Sequence, residues 1–184
     1  MAFNHGVRTQ ETATSLLATK TDSITPFYVG TAPINMCEKQ NINTPILCYS
    51  YEEAVKEFGF VNDFENYTLC EAIDAHFSKF GIGPIVLVNV LDPKTHKKSV
   101  QSQSVPFGED KTAVIKDIGI IISSLNITPK ITYTTEFDAN GYLMIVQTGE
   151  EEVSGNNLKV TYDKLDPSAI KNTDIVGGID PSSG

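Results

Sequence analysis

The first 22 residues are rich in Thr, with an apolar-poor stretch at residues 6–15, and they run directly into a β-prone segment at residues 26–34. Between Gly6 and Ser15 the sequence contains β-prone Val and Thr, but too few apolar residues to bury one face of a strand. A strand of this composition needs the edge of another sheet to pair with. We therefore predict that residues 1–24 form an extended arm that pairs with the edge of another sheet.

The length and composition are typical of a globular protein. The chain has 184 residues, of which 40% are hydrophobic and 20% charged, enough for one good core or two modest ones. Its formal net charge of −9 repels phosphate backbones, and no basic stripe offsets this charge, so we expect no nucleic acid partner. No apolar run approaches the roughly 20 residues that span a bilayer, so we expect no membrane partner.

The three cysteines, Cys37, Cys48 and Cys70, are an odd number at wide and irregular spacings. No charged and apolar signal segment precedes them. We therefore predict reduced thiols in a cytoplasm.

Residues 26–92 alternate between short β-rich runs and helical signals. Strands are predicted at residues 26–32, 45–49 and 85–90, and the last of these runs is apolar at consecutive positions, as in a strand covered on both faces. With two helices between the second and third strands, the order is β, β, α, α, β. This order predicts an open α/β sheet domain over residues 25–98, within a chain of the α+β or α/β class.

Two capping boxes predict the two helices. The first is a Ser-x-x-Glu pattern that begins at Ser50, and its helix ends at Gly59 in a left-handed cap. The second is a Thr-x-x-Glu pattern that begins at Thr68, and its helix has apolar residues at helical spacing as far as Phe80 and stops at Gly81.

Two features of this second helix could be taken for ligand sites. His76 lies on its apolar face, but His5 and His96 are too scattered to complete a metal site, so we expect a partly buried histidine bonded to a backbone carbonyl. Gly81 and Gly83 match part of a dinucleotide fingerprint. They follow a helix and open a strand, however, which is the reverse of the order that binds a pyrophosphate.

The composition changes after Val90. Residues 94–98 are basic and hydrophilic, and we predict a hinge there. Short β-branched runs follow at residues 112–115, 119–123, 130–134, 142–147 and 158–162. They predict a small all-β domain of the sandwich or barrel kind, inserted over residues 99–167, after which residues 168–184 return to the first domain.

Two polar segments of this second half are predicted to be turns and loops. Residues 138–141, Asp-Ala-Asn-Gly, favour a hairpin with a type I′ turn. The calcium-loop alternative fails because Met144 and Val146 stand where acidic ligands are required. Three consecutive Glu at residues 150–152 are predicted to lie in an exposed loop, since adjacent carboxylates cannot converge on one ion without further ligands.

The sequence contains no nucleophile elbow, phosphate-binding loop, His-Glu-x-x-His helix or paired-cysteine metal motif. We therefore predict no catalytic, cofactor-binding or metal-binding residues and no enzyme activity. Together with an arm that needs a partner edge, this favours a structural or assembly protein.

An ordered set of short segments carries a resemblance to a known family. The segments are residues 4–16, 26–33 (Pro-Phe-Tyr-Val-Gly-Thr-Ala-Pro), 43–45 (Asn-Thr-Pro), 83–93, 158–167 and 174–180 (Asp-Ile-Val-Gly-Gly-Ile-Asp). In this order they resemble the N-terminal part of tail sheath proteins from contractile-tailed phages and prophages. The resemblance covers nearly the whole chain.

The resemblance implies that subunits form a homo-oligomer, stacking as rings around a tail tube protein, and that extended arms add strands to sheets in neighbouring subunits. On this basis the subunit-exchange arm consists of Val7, Arg8, Thr9, Gln10, Glu11, Thr12 and Ala13. Members of the family are longer and carry a C-terminal domain that provides much of the tube contact. We therefore interpret the chain as an N-terminal fragment, assembled in the bacterial cytoplasm and located in the virion tail.

Two other classes of function stay open. An enzyme would need a pocket with convergent polar groups near the strand ends at Ala32 or Asp92. A carbohydrate- or receptor-binding β-domain would need a row of exposed aromatic side chains, although we expect core positions for most aromatic residues. The candidates for such a row are Tyr133, Phe137, Tyr142 and Tyr162.

Overall fold

A computed structural model of the chain describes residues 24–153 and 155–174. The described part combines few helices with three small sheets, which confirms a mixed α+β class. The predicted exchange arm, Val7 to Ala13, lies outside the described residues, and so do residues 175–184.

The strands of the described part are β1 (Phe27–Gly30), β2 (Ile46–Cys48), β3 (Ile85–Asn89), β4 (Lys97–Pro106), β5 (Thr112–Ile115), β6 (Asn126–Thr128), β7 (Tyr133–Phe137), β8 (Leu143–Gln147) and β9 (Asn157–Leu165). The helices are α1 (Tyr51–Phe58) and α2 (Thr68–Ile73), and α2 continues into a π-helical segment, Asp74–Lys79. Short 3-10 turns lie at Ile34–Met36, Ile122–Ser124, Pro167–Ala169 and Asn172–Asp174.

The first sheet has the order β1-β3-β2, in which β1 runs parallel and β2 antiparallel to β3. All three strands were predicted from the sequence. One face of the sheet packs on α1 and α2 around a core that includes Phe58, Leu69, Ile73, Ile85 and Leu87, which we call the first core. The two helices between β2 and β3 therefore supply the cover for one side of the sheet.

Helix α1 begins as the capping box predicts, because the Ser50 hydroxyl accepts a hydrogen bond from the Glu53 N–H at 3.2 Å. The Glu53 carboxylate reaches one residue further back than expected and accepts from the Tyr49 N–H at 2.8 Å. The helix ends at Gly59, whose φ is +75° and whose ψ is 173°. The prediction of a left-handed helical cap is thus wrong in ψ, although the positive φ still favours glycine.

The second capping box is wrong. Thr68 is the first residue inside α2, and its hydroxyl accepts instead from the N–H of Thr31, at 3.2 Å, just beyond β1. From Asp74 the backbone bonding changes to the π-helical spacing, and the N–H of Phe80 donates to the carbonyl of Ala75, five residues back, at 3.1 Å. Because the period changes, Phe80 is 72% exposed rather than buried on the predicted apolar face.

The second half of the described chain contains two antiparallel sheets, with the orders β4-β9-β6 and β5-β8-β7. They share a core that includes Ile115, Leu143, Ile145, Leu158 and Val160, which we call the second core.

Several predictions for this half need correction. The predicted hinge is partly strand, because Lys97 and Lys98 begin β4. The predicted strand at residues 119–123 is a bridge at Ile120 followed by a 3-10 turn, and the run at residues 130–134 forms a strand only from Tyr133. Strands β4 and β6 were not predicted, because their sequences are polar and they depend on pairing with β9.

Strands β7 and β8 form the predicted hairpin, but with a different turn. The Gly141 N–H donates to the Asp138 carbonyl at 3.0 Å, and Gly141 has a φ of +78° whereas Asn140 has a negative φ. This is a type I turn closed by a glycine bulge rather than a type I′ turn. The Asp138 carboxylate accepts hydrogen bonds from the N–H groups of Asn140 and Tyr142. These side-chain bonds favour the type I turn that begins at Asp138.

Candidate interaction surface

Exposed apolar side chains are concentrated around the first sheet. Of the ten large apolar side chains that are exposed in the described part of the chain, eight lie in or beside this sheet. They are Ile24, Phe27, Tyr28, Val29, Leu47, Tyr49, Phe80 and Ile82. The other two, Val114 and Ile122, belong to the second half. Concentration of this kind marks an interaction surface.

The strand register explains why these side chains are exposed. Phe27 on β1 and Leu47 on β2 both lie opposite Val86 of the central strand, so the three side chains share one face of the sheet. Phe27 is 57% exposed and Leu47 is 44% exposed, whereas Leu87, on the other face, is fully buried. The sheet is therefore covered by helices on one face only.

We call the exposed part of this side the open face and define it by Phe27, Val29, Leu47, Tyr49 and the half-buried Val86; Val88, which pairs with Val29 on the same side, is buried. Val29 shares the face of Phe27 by strand alternation, and Tyr49, which is 65% exposed, follows directly after the end of β2. No charged side chain belongs to it, although the whole chain carries a net charge of −9. The open face is therefore suited to a partner that removes it from water.

Strand β1 also has a free backbone edge in the described structure. The Pro26 carbonyl accepts from the Val86 N–H at 2.8 Å, and the Gly30 carbonyl accepts from the Val90 N–H at 3.0 Å. Because backbone groups alternate in direction along a strand, those of Phe27 and Val29 point away from β3. The edge begins at Phe27, three residues after Ile24, where the predicted arm meets the described structure.

His76 is held by two bonds beside this sheet. Its Nδ1 lies 3.3 Å from the carbonyl oxygen of Ile82, so Nδ1 donates. Its Nε2 lies 2.6 Å from the Tyr28 hydroxyl and accepts from it. The prediction of a partly buried histidine bonded to a backbone carbonyl is confirmed.

A cavity of about 400 Å³ lies near Asp92, where an enzyme pocket was considered. Its candidate acid and base groups are engaged with each other, since His96 Nδ1 accepts from the Asp92 N–H at 2.9 Å and His96 Nε2 donates to the Asp174 carboxylate at 3.1 Å. Hydrogen bonds from the Lys171 N–H and from His96 hold the pKa of Asp174 below its usual range. These groups therefore serve the fold rather than presenting free acid and base atoms.

The three thiols are free, and burial raises the pKa of each. The value is about 12 for Cys37 and about 11 for Cys48 and Cys70. Thiols of this kind are weak nucleophiles and weak metal ligands near neutral pH. The part of the chain that the structure describes also contains no group of three or more His, Cys, Asp or Glu side chains placed to hold a metal ion.

The aromatic residues considered for a binding row do not form one. Tyr162 is buried in the second core, and its hydroxyl oxygen lies 2.9 Å from the Gln103 side-chain oxygen and 3.0 Å from the Asp117 carboxylate. The other three, Tyr133, Phe137 and Tyr142, are half-buried. The exposed aromatic side chains, Phe27, Tyr28, Tyr49 and Phe80, lie instead around the first sheet, and no signal in the sequence separates them from core positions.

None of the described helices has the length and apolar character that crossing a membrane requires.

Comparison with known proteins gives one clear relationship. The chain is 30% identical, over 191 aligned residues, to the tail sheath protein of Burkholderia phage BcepMu. The alignment covers 97% of this chain and 38% of the phage protein, so the chain spans about two-fifths of the length of its relative. No protein-family model matches the chain, and no solved structure matches it significantly. The resemblance noted in the sequence is thus confirmed, and the chain is related to phage tail sheath proteins.

Proposed function

We propose that this chain is the N-terminal part of a structural subunit of a contractile tail sheath, which polymerises around a tail tube and has no catalytic role. The observation that carries the proposal is the uncharged open face, which lies beside the strand that the predicted arm enters. The relationship to a phage protein named as a tail sheath protein supports the same conclusion.

In this proposal the arm segment Val7 to Ala13 adds a strand to a sheet of a neighbouring subunit. Ordering the backbone costs about 1 to 2 kcal/mol per residue, while each hydrogen bond returns only about 0.5 to 1.5 kcal/mol net. A single arm is therefore a weak link. Many arms acting together with surface contacts would hold the sheath, and each link could pivot while subunits shift during contraction.

The open face supplies such a surface contact with a neighbouring copy. Full burial of a Phe or Leu side chain contributes about 1.5 to 3 kcal/mol. Phe27 and Leu47 are 57% and 44% exposed, so covering the exposed part of each would contribute roughly half of that, about 1 kcal/mol. Two copies of a chain with a net charge of −9 repel each other, and a contact through uncharged side chains avoids bringing carboxylates together. The occupant we assign to the open face is therefore a second subunit.

The second half, residues 99–167, is assigned as a β-rich domain inserted after the first sheet and facing outward from the sheath. In support, the chain leaves the first sheet after β3 and enters the second half along β4. It comes back along β9, which pairs antiparallel with β4. After β9, Asp174 contacts His96 next to the end of β3. Contact with the tail tube is assigned to sheath residues beyond this chain, and assembly to the bacterial cytoplasm before incorporation in the virion tail.

The arm hypothesis is tested in the sheath protein that contains this chain, with a pair of double variants at Thr9 and Glu11. Proline at both positions removes two backbone N–H groups and blocks strand pairing, whereas alanine at both positions keeps them. We expect the proline variant to remain folded and soluble but to form no sheaths by negative-stain electron microscopy. The alanine variant should assemble. Normal sheaths from the proline variant would refute strand exchange by this arm.

A further inference from the structure

Strand β9 belongs to both cores. Leu158, Val160 and Tyr162 lie in the second core, whereas Leu165, at the end of the same strand, is buried in the first core. Strand β4 pairs with β9 from Lys97 opposite Leu165 to Pro106 opposite Asn157, with one bulge between Val100 and Gln103. The hydrogen-bonded strands β4 and β9 thus run side by side from one core to the other. A change in the angle between the two cores would break hydrogen bonds between these strands.

The tip of the β7–β8 hairpin is a second connection. Gly141 lies so close to the first core that a Cβ atom there would stand 2.6 Å from a methyl carbon of Val61 and 3.7 Å from the sulfur of Met36. Val61 is itself fully buried in the first core. The hairpin tip is therefore seated on the first core through a glycine that has no side chain to obstruct the contact.

Hydrogen bonds provide a third connection, near Gly119. The Asn35 side-chain amide donates to the Ile120 carbonyl at 3.0 Å, and the Leu165 N–H donates to the Gly119 carbonyl at 2.9 Å. The ladder, the hairpin tip and these bonds join the two cores through separate segments of the chain. Contacts through several segments remove the rotation that a single polar linker would permit.

We infer that the two cores form one rigid body that unfolds as a unit, with the hairpin tip at Gly141 acting as the seat that fixes their relative orientation. The predicted hinge at residues 94–98 would then not act as one. The inference rests on contacts within this chain and does not depend on a sheath role.

Hydrogen exchange of the 184-residue chain in increasing urea tests this inference. If the cores unfold as one body, the protected amides of β3 in the first core and of β8 in the second should lose protection at the same urea concentration. Loss of protection in one core while the other remains protected would overturn the inference.

A matched pair of glycine variants tests the seat itself. Gly141 and Gly155 both have positive φ, +78° and +87°, but a Cβ at Gly155 meets nothing within 4 Å. Gly141→Ala should accelerate exchange in both cores together, by about tenfold or more beyond the effect of Gly155→Ala. Acceleration confined to β7 and β8, or equal effects of the two variants, would show that the tip does not couple the cores.

Discussion

The side-chain oxygen of Asn89, at the end of β3, accepts a hydrogen bond from the backbone N–H of Ala32, just beyond β1, at 3.1 Å. The same oxygen accepts from the Leu91 N–H at 3.1 Å, and the Asn89 amide donates to the Leu91 carbonyl at 3.0 Å. Asn89 is fully buried. One side chain thus satisfies three backbone groups and holds the ends of two neighbouring strands together.

Replacing Asn89 should therefore be costly. In Asn89→Ala the N–H groups of Ala32 and Leu91 lose their buried acceptor, and each unsatisfied group costs about 1 to 3 kcal/mol. We expect the free energy of unfolding, measured in urea, to fall by about 2 to 6 kcal/mol. The control is Asn126→Ala at an exposed position of β6, which should change stability by less than about 0.5 kcal/mol. Equal effects of the two variants would refute the role of Asn89.

The hydrogen bonds of Glu151 lead us to expect a loss of stability in acid. Its carboxylate accepts hydrogen bonds from the Thr132 hydroxyl and from the Gln147 amide, and these bonds lower its pKa from 4.5 to about 2. Because the pKa is lower in the folded state, the stabilisation is present above pH 4.5 and is lost as the pH falls from 4.5 towards 2. The loop that follows β8 should loosen in this range.

The measurement is the difference in melting temperature between the unaltered chain and Glu151→Gln, recorded from pH 7 to pH 3. We expect the difference to be largest at pH 7 and to shrink below about pH 4.5. Glu150→Gln removes a neighbouring charge whose side chain is 97% exposed, and it serves as the control. A difference for Glu151→Gln that does not vary with pH would contradict the assignment.

Limited proteolysis examines the segment that the sequence predicted to be a hinge. Lys97 and Lys98 are paired with β9, and Lys97 also contacts Asp163 at 2.6 Å. Trypsin cleaves extended, mobile segments, so it should cut after Lys39, which is exposed in an irregular loop, well before it cuts after Lys97 or Lys98. Early cleavage at residues 97–98, identified by mass spectrometry, would instead support the predicted hinge.

Local signals explain what the sequence could predict. The first sheet and α1 were identified because strand composition and the Ser50 capping box act over a few residues. The start of α2 was missed because the partner of Thr68 is Thr31, which lies 37 residues away. The polar strand β4 was missed for the same reason, since its stability comes from pairing with β9 rather than from its own side chains.

The open face was beyond prediction from the sequence alone. An apolar strand face has the same pattern whether it packs in a core or stays uncovered, so Phe27 and Leu47 were assigned only to strands. The one feature that separates them from Leu87, on the covered face, is the strand register. The arm at Val7 to Ala13 remains a prediction, because it lies outside the described residues.

The central claim is that the open face and the arm make this chain part of a polymerising sheath subunit. Electron microscopy of the longer sheath protein to which we propose this chain belongs, with Leu47→Gln on the open face and Ile122→Gln on the second half as control, tests it most directly. The two side chains are similarly exposed, at 44% and 40%, so each change should leave the fold intact. The account predicts rings and tubes from the unaltered protein and from Ile122→Gln, and few or none from Leu47→Gln. Normal assembly of Leu47→Gln, or an unaltered protein that forms no polymer, would contradict it.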